Sequence, residues 1–491
     1  MAEVVSSSAL WDTFRARTRG LDDRPAVSAA AGDMTFGVLW SEADRLASPF
    51  ARAGVAEGSV VGLALQNSPA FAAAFLALCR LDATIALIPP RYRESELVPL
   101  VAGVQPAAIV TDTELADTIA AAVPTAHSES TGELRILFPA DRPARGRSIA
   151  AALLKFSSGS TAEPKGVALT AGNVIAEADN VMSTLELGPA DRILAGVPLF
   201  HSYGFDLGLL QMLSAGSTLA LLDAFVPRRT VAMLADGGVT AFLGVPALYR
   251  AILSSRMSSP PDLSHVRWLL SCTAPLSEDV IRAFDHRFNA LICQHYGSSE
   301  TGAITNHVPS EIRARPGSVG RPLNRVEVMV ANDEGEWVPP GTEGEVVASS
   351  AAIGQGYVLG APAGVSPFRD GNFWTGDLGA VDGDGFLTVR GRRDAMINVG
   401  GFKVAPAEVK AALERHSAVS EAAVIGVPDA LGGQVVYAVV EVAGPATESE
   451  LLDFCRAALA EHKVPRRIEV RDALPRTPSG KVRLRLDDLD V

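Results

Sequence analysis

A short polar loop between two apolar runs is the stretch of this sequence best suited to chemistry. It extends from Ser157 to Lys165 within LKFSSGSTAEPKGVAL, residues 154–169. Small hydroxyl residues and glycine allow several backbone N–H groups to point into one concavity that suits phosphate oxygens, and Lys165 adds a positive charge beside it. A Ser/Gly/Pro-rich hairpin turn with a solvated lysine has the same composition, so both interpretations stay open at this point.

The order of residues around the lysine differs from that of a P-loop. A P-loop has glycine directly before the lysine and Ser or Thr directly after it, at the start of a helix. Here Pro164 precedes Lys165 and Gly166 follows it. Proline at that place favours an ordered turn between two strands, so we expect phosphates to be held by a different geometry.

Further motifs follow the loop in the chain: PLFHSYGFD, HYGSSETG, FWTGDLG, GRRDAMINVGGFK and PRTPSGK. Together with the loop, they resemble the adenylate-forming superfamily, which includes acyl-CoA synthetases, peptide-synthetase adenylation domains and firefly luciferase. The loop signature of that family is TSG-S/T-T-G-x-PKG, and this chain has Ala162 where the family usually has glycine. The resemblance extends from about Trp11 to Lys481.

The resemblance implies an α/β fold in two domains. The large N-terminal domain, residues 1–392, would contain two helix-flanked β-sheets and a small barrel. A small, mobile α+β domain, residues 393–491, would follow it with a hinge near Asp394. The implied activity is ATP-dependent formation of an acyl-adenylate, followed by transfer of the acyl group to a phosphopantetheine thiol of a carrier protein or coenzyme A (CoA).

The same resemblance assigns roles to individual residues. The expected nucleotide-binding residues are Ser157, Ser158, Gly159, Ser160, Thr161, Lys165, Tyr296, Gly297, Ser299, Asp377 and Arg392. Tyr296 would stack on adenine, and Asp377 would accept hydrogen bonds from both ribose hydroxyls. Glu300 would hold Mg²⁺, which takes few carboxylates and completes its shell with water and phosphate oxygens.

Lys481 matches the catalytic lysine near the family's C-terminus, and His201 lies at its acyl-site gate. Asn398, Gly400 and Gly401 fall where the family has the loop beside the thiol channel, and lysine often stands at the first of these positions. A different interpretation is that the chain is a degenerate homologue that binds nucleotide without catalysis. The presence of Lys481, Glu300 and Asp377 argues against it.

Asp206 stands out because it lies in an otherwise apolar helical segment. A buried carboxylate without a cation is costly, so it needs a positive partner. That partner is either an internal lysine or arginine or the ammonium of a substrate. Tyr203 lies one turn earlier, near the position where peptide-synthetase adenylation domains place an aspartate for the substrate amine. The sequence leaves two substrate classes open: a plain carboxylic acid, and an amino acid with a displaced (β) amine.

Cys272 and Thr273 follow a predicted strand and a serine, where the family usually has smaller residues. Larger side chains in a pocket wall narrow the pocket. We therefore expect a small or short acyl group.

The elements that position these residues can be anticipated from hydrophobic periodicity. Residues 25–111 alternate strand-like runs with amphipathic or apolar helices, which predicts a parallel sheet with helices on its faces. Asn67 and Ser68 should cap an Ala-rich helix that begins at Pro69. We expect residues 114–148 to form a helix and surface loops, and residues 325–330 and 344–348 to form antiparallel strands.

Composition restricts the class of protein. The 491 residues are 48% hydrophobic and 20% charged, as in a large globular protein. The formal net charge of −13 argues against nucleic-acid binding. The four cysteines form no C-x-x-C pair, and the apolar stretch of residues 71–89 is interrupted by Arg80 and Asp82, which argues against a membrane span. We expect a cytoplasmic enzyme.

Overall fold

The computed structural model describes residues 6–30, 32–90, 92, 94–140, 149–157, 165–361, 365–399, 402–428, 434–476 and 482–489. The strands within these ranges form two large sheets, a five-stranded sheet, and two smaller sheets near the C-terminus. No helix in these ranges combines the length and the hydropathy that a bilayer span requires.

The described helices are concentrated in the first 312 residues. They are α1 (Ser8–Arg17), α2 (Phe36–Arg52), α3 (Pro69–Arg80), α4 (Glu94–Val104), α5 (Thr113–Ala122), α6 (Ala171–Leu185), α7 (Ser202–Gly204), α8 (Leu210–Ala215), α9 (Pro227–Ala235), α10 (Pro246–Ser254), α11 (Glu278–Phe288), α12 (Pro309–Ile312), α13 (Pro406–Leu413) and α14 (Glu448–Ala458). A π-helical turn, Phe205–Leu209, joins α7 to α8.

The strands follow in chain order. The first group is β1 (Pro25–Ala29), β2 (Gly32–Thr35), β3 (Val60–Ala64), β4 (Thr84–Leu87), β5 (Ala108–Asp112), β6 (Thr125–Thr131), β7 (Leu134–Pro139), β8 (Leu153–Ser157), β9 (Lys165–Leu169), β10 (Arg192–Ala195), β11 (Thr218–Leu221), β12 (Ala241–Gly244), β13 (Trp268–Ser271), β14 (Ile292–Ser298), β15 (Gly302–Asn306) and β16 (Arg321–Pro322). The second group is β17 (Glu327–Ala331), β18 (Gly344–Ser349), β19 (Gly356–Leu359), β20 (Phe368–Arg369), β21 (Asn372–Val381), β22 (Leu387–Arg392), β23 (Ile397–Val399), β24 (Phe402–Val404), β25 (Val419–Pro428), β26 (Gln434–Val442) and β27 (Arg467–Arg471).

One large sheet has the strand order β16-β15-β14-β13-β12-β10-β11-β1-β2, and the other has the order β19-β9-β8-β4-β3-β5-β7-β6. Parallel pairs form the centre of each sheet, and antiparallel pairs lie at the edges. The predicted parallel sheets with flanking helices are thus confirmed. The prediction for residues 114–148 is wrong in part, because β6 and β7 pair as an antiparallel hairpin whose first strand has a polar, exposed face.

Helix α3 lies between the two large sheets. Its nine residues from Phe71 to Cys79 are all buried, and it contacts β1 of one sheet and both β3 and β4 of the other. Four small alanines let the helix approach both sheets closely, whereas larger residues would hold them apart. The cap predicted at Ser68 is present, since its hydroxyl accepts a hydrogen bond from the Phe71 N–H. The prediction for Asn67 is wrong, because its side chain donates to the Val197 carbonyl and accepts from the Leu199 N–H.

The remaining strands form smaller sheets, as the sequence predicts. Strands β17 and β18 pair antiparallel within the five-stranded sheet, and β25, β26 and β27 form a sheet packed against α13 and α14. The fold is therefore α/β, with a large N-terminal part and a small α+β C-terminal part. The domain boundary at residue 392 stays a prediction.

Candidate active site

A cavity of about 160 Å³ opens at the carboxyl ends of β10, β13 and β14. These strands are part of one parallel run, so the segments that follow them meet at one edge of the sheet, the usual ligand site of open α/β sheets. The cavity is lined by Glu177, His201, Ser202, Tyr203, Asp206, Leu207, Cys272, Thr273, His295, Gly297, Ser298, Ser299, Glu300, Gly302 and Ala303. Tertiary structure thus brings together eight of the residues singled out in the sequence.

His201 ends the segment after β10 and caps α7. Its Nδ1 accepts a hydrogen bond from the Tyr203 N–H at 3.4 Å, which holds the imidazole ring at the N-terminus of α7. The Tyr203 ring stacks at 5.9 Å on His295, a cavity residue that the sequence analysis missed. Burial lowers the pKa of His295 to about 4, against the opposing effect of its hydrogen bond with Asn306, so this imidazole is neutral at pH 7.

Glu300 lies in the turn between β14 and β15 and is buried. Its Oε1 accepts a hydrogen bond from the Tyr357 hydroxyl at 2.8 Å. Tyr357 also lies near the phosphate-loop lysine, since Nζ of Lys165 is 5.8 Å from its ring centroid. Sequence reasoning missed Tyr357, which reaches the site because β19 pairs with β9.

The donor set around Glu300 fits Mg²⁺. Among the described residues, no group of three or more His, Cys, Asp or Glu side chains could hold a metal ion. In the described part of the chain, the hydrogen bond from the Tyr357 hydroxyl engages Oε1 of Glu300 and not Oε2. The hydroxyl groups of Ser202 and Ser299, 2.8 Å apart, lie in the same wall.

A second cluster of predicted residues lies beside the cavity. The Tyr296 hydroxyl donates to Oδ2 of Asp377 at 2.5 Å, and Nη1 of Arg392 lies 3.6 Å from Oδ1 of the same carboxylate. Burial raises the pKa of Asp377, while the hydrogen bond from Tyr296 and the charge of Arg392 oppose that rise. Arg392 also donates to Asp394, the predicted hinge residue, at 3.2 Å.

Cys272 and Thr273 form part of the cavity wall. Thr273 has φ = 77°, a left-handed conformation that is rare for a β-branched residue. Glycine would adopt this conformation without strain. The threonine therefore adds bulk to the wall at a cost in backbone strain.

Asp206 has an internal partner. Nζ of Lys155 lies 2.6 Å from Oδ1 and 2.7 Å from Oδ2, and both side chains are almost completely buried. Burial raises the pKa of the Asp206 carboxyl, and the charge of Lys155 opposes that rise. Of the two partners considered from the sequence, the internal cation is the one that the structure contains, so Asp206 needs no substrate ammonium.

Some predicted site residues lie outside the residues that the structure describes, and others are described but do not line the cavity. The first group is Ser158, Gly159, Ser160, Thr161, Gly400, Gly401 and Lys481. Ser157 and Lys165 are the last and first residues of the paired strands β8 and β9, so they flank the loop as expected of a turn between strands. The Asn398 N–H donates to the Gln434 side chain at 2.9 Å.

Comparison with known proteins agrees with this geometry. The model of the AMP-binding enzyme family matches residues 14–358, and that of the AMP-binding enzyme C-terminal domain matches residues 408–481. The chain belongs to the AMP-binding enzyme family. It is an adenylate-forming ligase of the acyl-CoA synthetase type, which confirms the resemblance drawn from the motifs.

Three relatives of this adenylate-forming enzyme match over nearly their full length. It is 32% identical over 488 residues to the oxalate–CoA ligase of Arabidopsis thaliana, covering 94% of this chain and 95% of the relative. It is 34% identical over 486 residues to a feruloyl-CoA synthase of Amycolatopsis, covering 96% of each. The o-succinylbenzoate-CoA synthetase of Bacillus subtilis, solved with its acyl-adenylate intermediate, superposes with a TM-score of 0.82 at 26% identity, covering 98% of this chain and 97% of that one.

Proposed function

We propose that this enzyme activates a small carboxylic acid with ATP and transfers the acyl group to the thiol of CoA. In the first half-reaction, a carboxylate oxygen attacks the α-phosphorus of ATP, the bond to the β-phosphate breaks, and acyl-AMP and pyrophosphate form. In the second, the thiol sulfur attacks the acyl carbon and AMP leaves. The observation that carries the proposal is the cavity bordered by Glu300, with the Tyr296–Asp377–Arg392 cluster beside it.

The nucleotide would lie across that cluster. Tyr296 offers a ring face to adenine, Asp377 offers carboxylate oxygens to the ribose hydroxyls, and Arg392 adds a charge near the phosphates. The Ser157–Lys165 loop would hold the leaving pyrophosphate. Mg²⁺ bound at Glu300 would neutralise phosphate charge, so the protein contributes mainly position and charge.

Lys481 would reach the substrate carboxylate and the α-phosphate in the first half-reaction. A rotation of the C-terminal domain about Asp394 would then remove it and bring the Asn398–Gly401 loop to the thiol channel. In such a hinge, a few residues absorb the dihedral change while both domains stay rigid.

The acid is small for two reasons. A cavity of about 160 Å³ is close to the volume of about 150 Å³ that accommodates benzene in an engineered protein cavity. Cys272 and Thr273 add bulk to its wall. The relatives act on acids as different as oxalate and ferulate, so their names do not select the acid for this chain.

CoA is favoured over a carrier protein as acceptor, because the full-length relatives are CoA ligases. Amino-acid activation through Asp206 is not part of the proposal, since Lys155 already balances that carboxylate.

The test is ATP–pyrophosphate exchange with a panel of small acids, followed by thioester formation with CoA and with a phosphopantetheinylated carrier protein. We expect acid-dependent exchange and a CoA thioester. Nucleotide binding without exchange for any acid would contradict the proposal.

A further inference from the structure

Glu177 is a buried carboxyl group that the proposed reaction leaves without a role. It lies on α6, is 1% exposed and lines the cavity beside Asp206. Its Oε1 accepts a hydrogen bond from the Ala303 N–H at 2.9 Å. Its Oε2 has no hydrogen-bond partner among the described residues. Buried carboxyl oxygens normally have a hydrogen-bond partner. We therefore look for the partner of Oε2 in a ligand bound in the cavity.

Neighbouring residues leave room for this carboxyl group. Gly302 has φ = 68°, and a Cβ at that position would collide with the Glu177 carboxylate. Only glycine both adopts that conformation easily and leaves this space. The turn after Glu300 therefore accommodates Glu177 at the cavity.

The charges around Glu177 decide its protonation state. Two carboxylates, Glu177 and Asp206, share the region with one ammonium, and both oxygens of Asp206 accept from Lys155. Burial and the charge of Asp206 raise the pKa of Glu177 to about 8, and Lys155 and the Ala303 N–H oppose that rise. His295 and Glu300 line the same cavity, and His295 is neutral at pH 7.

At pH 7, Glu177 is therefore mostly a neutral carboxylic acid. Because Oε1 accepts from the backbone, the proton resides on Oε2, and Oε2 is a hydrogen-bond donor. A donor in a buried pocket discriminates strongly, since a ligand that lacks an acceptor leaves it unpaired.

We propose that Glu177 is a specificity-determining residue that donates a hydrogen bond to an oxygen of the acyl group. This inference rests on the proposed function and names its substrate class: small carboxylic acids with a hydroxyl, keto or second carboxyl oxygen beyond the reacting carboxylate. Alkyl and aryl acids of the same size are poorer substrates.

The test compares matched acids in three proteins. CoA-thioester formation is measured for 3-hydroxybutyrate against butyrate, 4-hydroxybenzoate against benzoate, and succinate against butyrate, in the wild type, Glu177→Gln and Glu177→Met. Glutamine keeps an acceptor for the Ala303 N–H and an N–H donor for the cavity, whereas methionine has neither. Exposed Glu186, at the end of the same helix, supplies the control variant Glu186→Gln.

The wild type is expected to prefer the oxygenated acid of at least one pair about 10-fold in kcat/KM, the size of effect expected for one hydrogen bond with a buried donor. Glu177→Gln and Glu186→Gln keep this ratio, and Glu177→Met brings it near 1. In the wild type the ratio for succinate against butyrate falls as pH rises through about 8, because the donor proton of Glu177 is lost and a carboxylate cannot replace it, while in Glu177→Gln the ratio does not fall. Ratios within one variant cancel a general loss of folded protein.

Three results would overturn the inference. They are a wild type without preference in any pair, a Glu177→Met variant that keeps the preference, and a Glu177→Gln variant that loses it as Glu177→Met does. If Glu177→Gln loses the preference, thioester formation is compared for β-alanine and propionate. A preference for β-alanine in the wild type would then show that Glu177 is an ionised carboxylate that binds an ammonium group. If no acid supports thioester formation in any variant, the proposed function fails, and that outcome is distinct from equal use of both members of each pair.

Discussion

Asp377 accepts a hydrogen bond from Tyr296 on one oxygen and lies 3.6 Å from Arg392, whereas both oxygens of Asp206 accept from Lys155. The side chain of the first carboxylate is 17% exposed, so solvent or a ligand can reach it. The second is balanced inside the protein. The same residue type is therefore partly available to a ligand in one region, where we propose that it binds ribose, and serves internal charge balance in the other.

The largest expected effect is on the internal pair. Lys155→Met should lower the free energy of unfolding by about 3–5 kcal/mol, because it leaves a buried carboxylate without its cation. Urea unfolding measures the loss. The double variant Lys155→Met/Asp206→Leu should recover most of it, since an apolar pair needs no counter-ion. A single variant as stable as the wild type would show that Asp206 does not depend on Lys155.

Next in size is the effect expected at Lys481, the proposed catalytic lysine. Lys481→Ala should slow acyl-adenylate formation about 100–1000-fold, the usual effect of removing one group that stabilises transition-state charge. Thioester formation from supplied acyl-adenylate should be spared, because that step proceeds after the lysine has left. Pyrophosphate exchange and thioester assays measure the two steps.

The matched control for that variant is Lys463→Ala, which removes a lysine of the C-terminal domain that pairs with Glu408. It should leave both half-reactions unchanged. Equal losses of both steps in Lys481→Ala would contradict the hinge account.

A smaller effect is expected at the proposed nucleotide site. Asp377→Asn should raise KM for ATP about 10- to 100-fold, because a hydrogen bond to a charged group contributes about 1.5–3 kcal/mol. KM for the acid should change little. Asp370→Asn, in an exposed turn, is the control. An unchanged KM for ATP would remove Asp377 from the nucleotide site.

The smallest expected effect is at the cavity wall. Thr273→Gly should raise the free energy of unfolding by about 1 kcal/mol, because it relieves a left-handed β-branched residue. It should also widen the pocket and improve kcat/KM for longer acids. Arg325→Gly, at an exposed residue with φ = 63°, should relieve strain without changing acid preference. An unaltered acid profile in Thr273→Gly would show that residue 273 does not limit the pocket.

Much of the fold was predictable because its signals are local. Ser68 caps α3 as expected, and residues 327–331 and 344–349 form the antiparallel pair expected there. The hairpin of β6 and β7 was not predicted, because the TAHSEST strand is polar and only its partner is buried. Its stability comes from pairing with β5 across the sheet.

Where a motif names neighbouring residues, the structure keeps them together: Gly297, Ser299 and Glu300 of HYGSSETG all line the cavity. Glu177 was missed, although a signal existed: it shares a buried helix face with Val174, Ala178 and Val181, where a solvated glutamate does not belong. Its free oxygen could not be anticipated, because the backbone that meets it comes from residue 303.

By itself, the sequence determined the family and the α/β architecture, and it supplied the residues proposed to contact ATP, since these depend on spacing within short segments. Tertiary structure decided which charges pair. Lys155 and Asp206 are 51 positions apart and meet only because β8 packs against the helical segment after β10. The strength of an electrostatic interaction depends on distance in space and on burial, and neither can be read from positions along the chain.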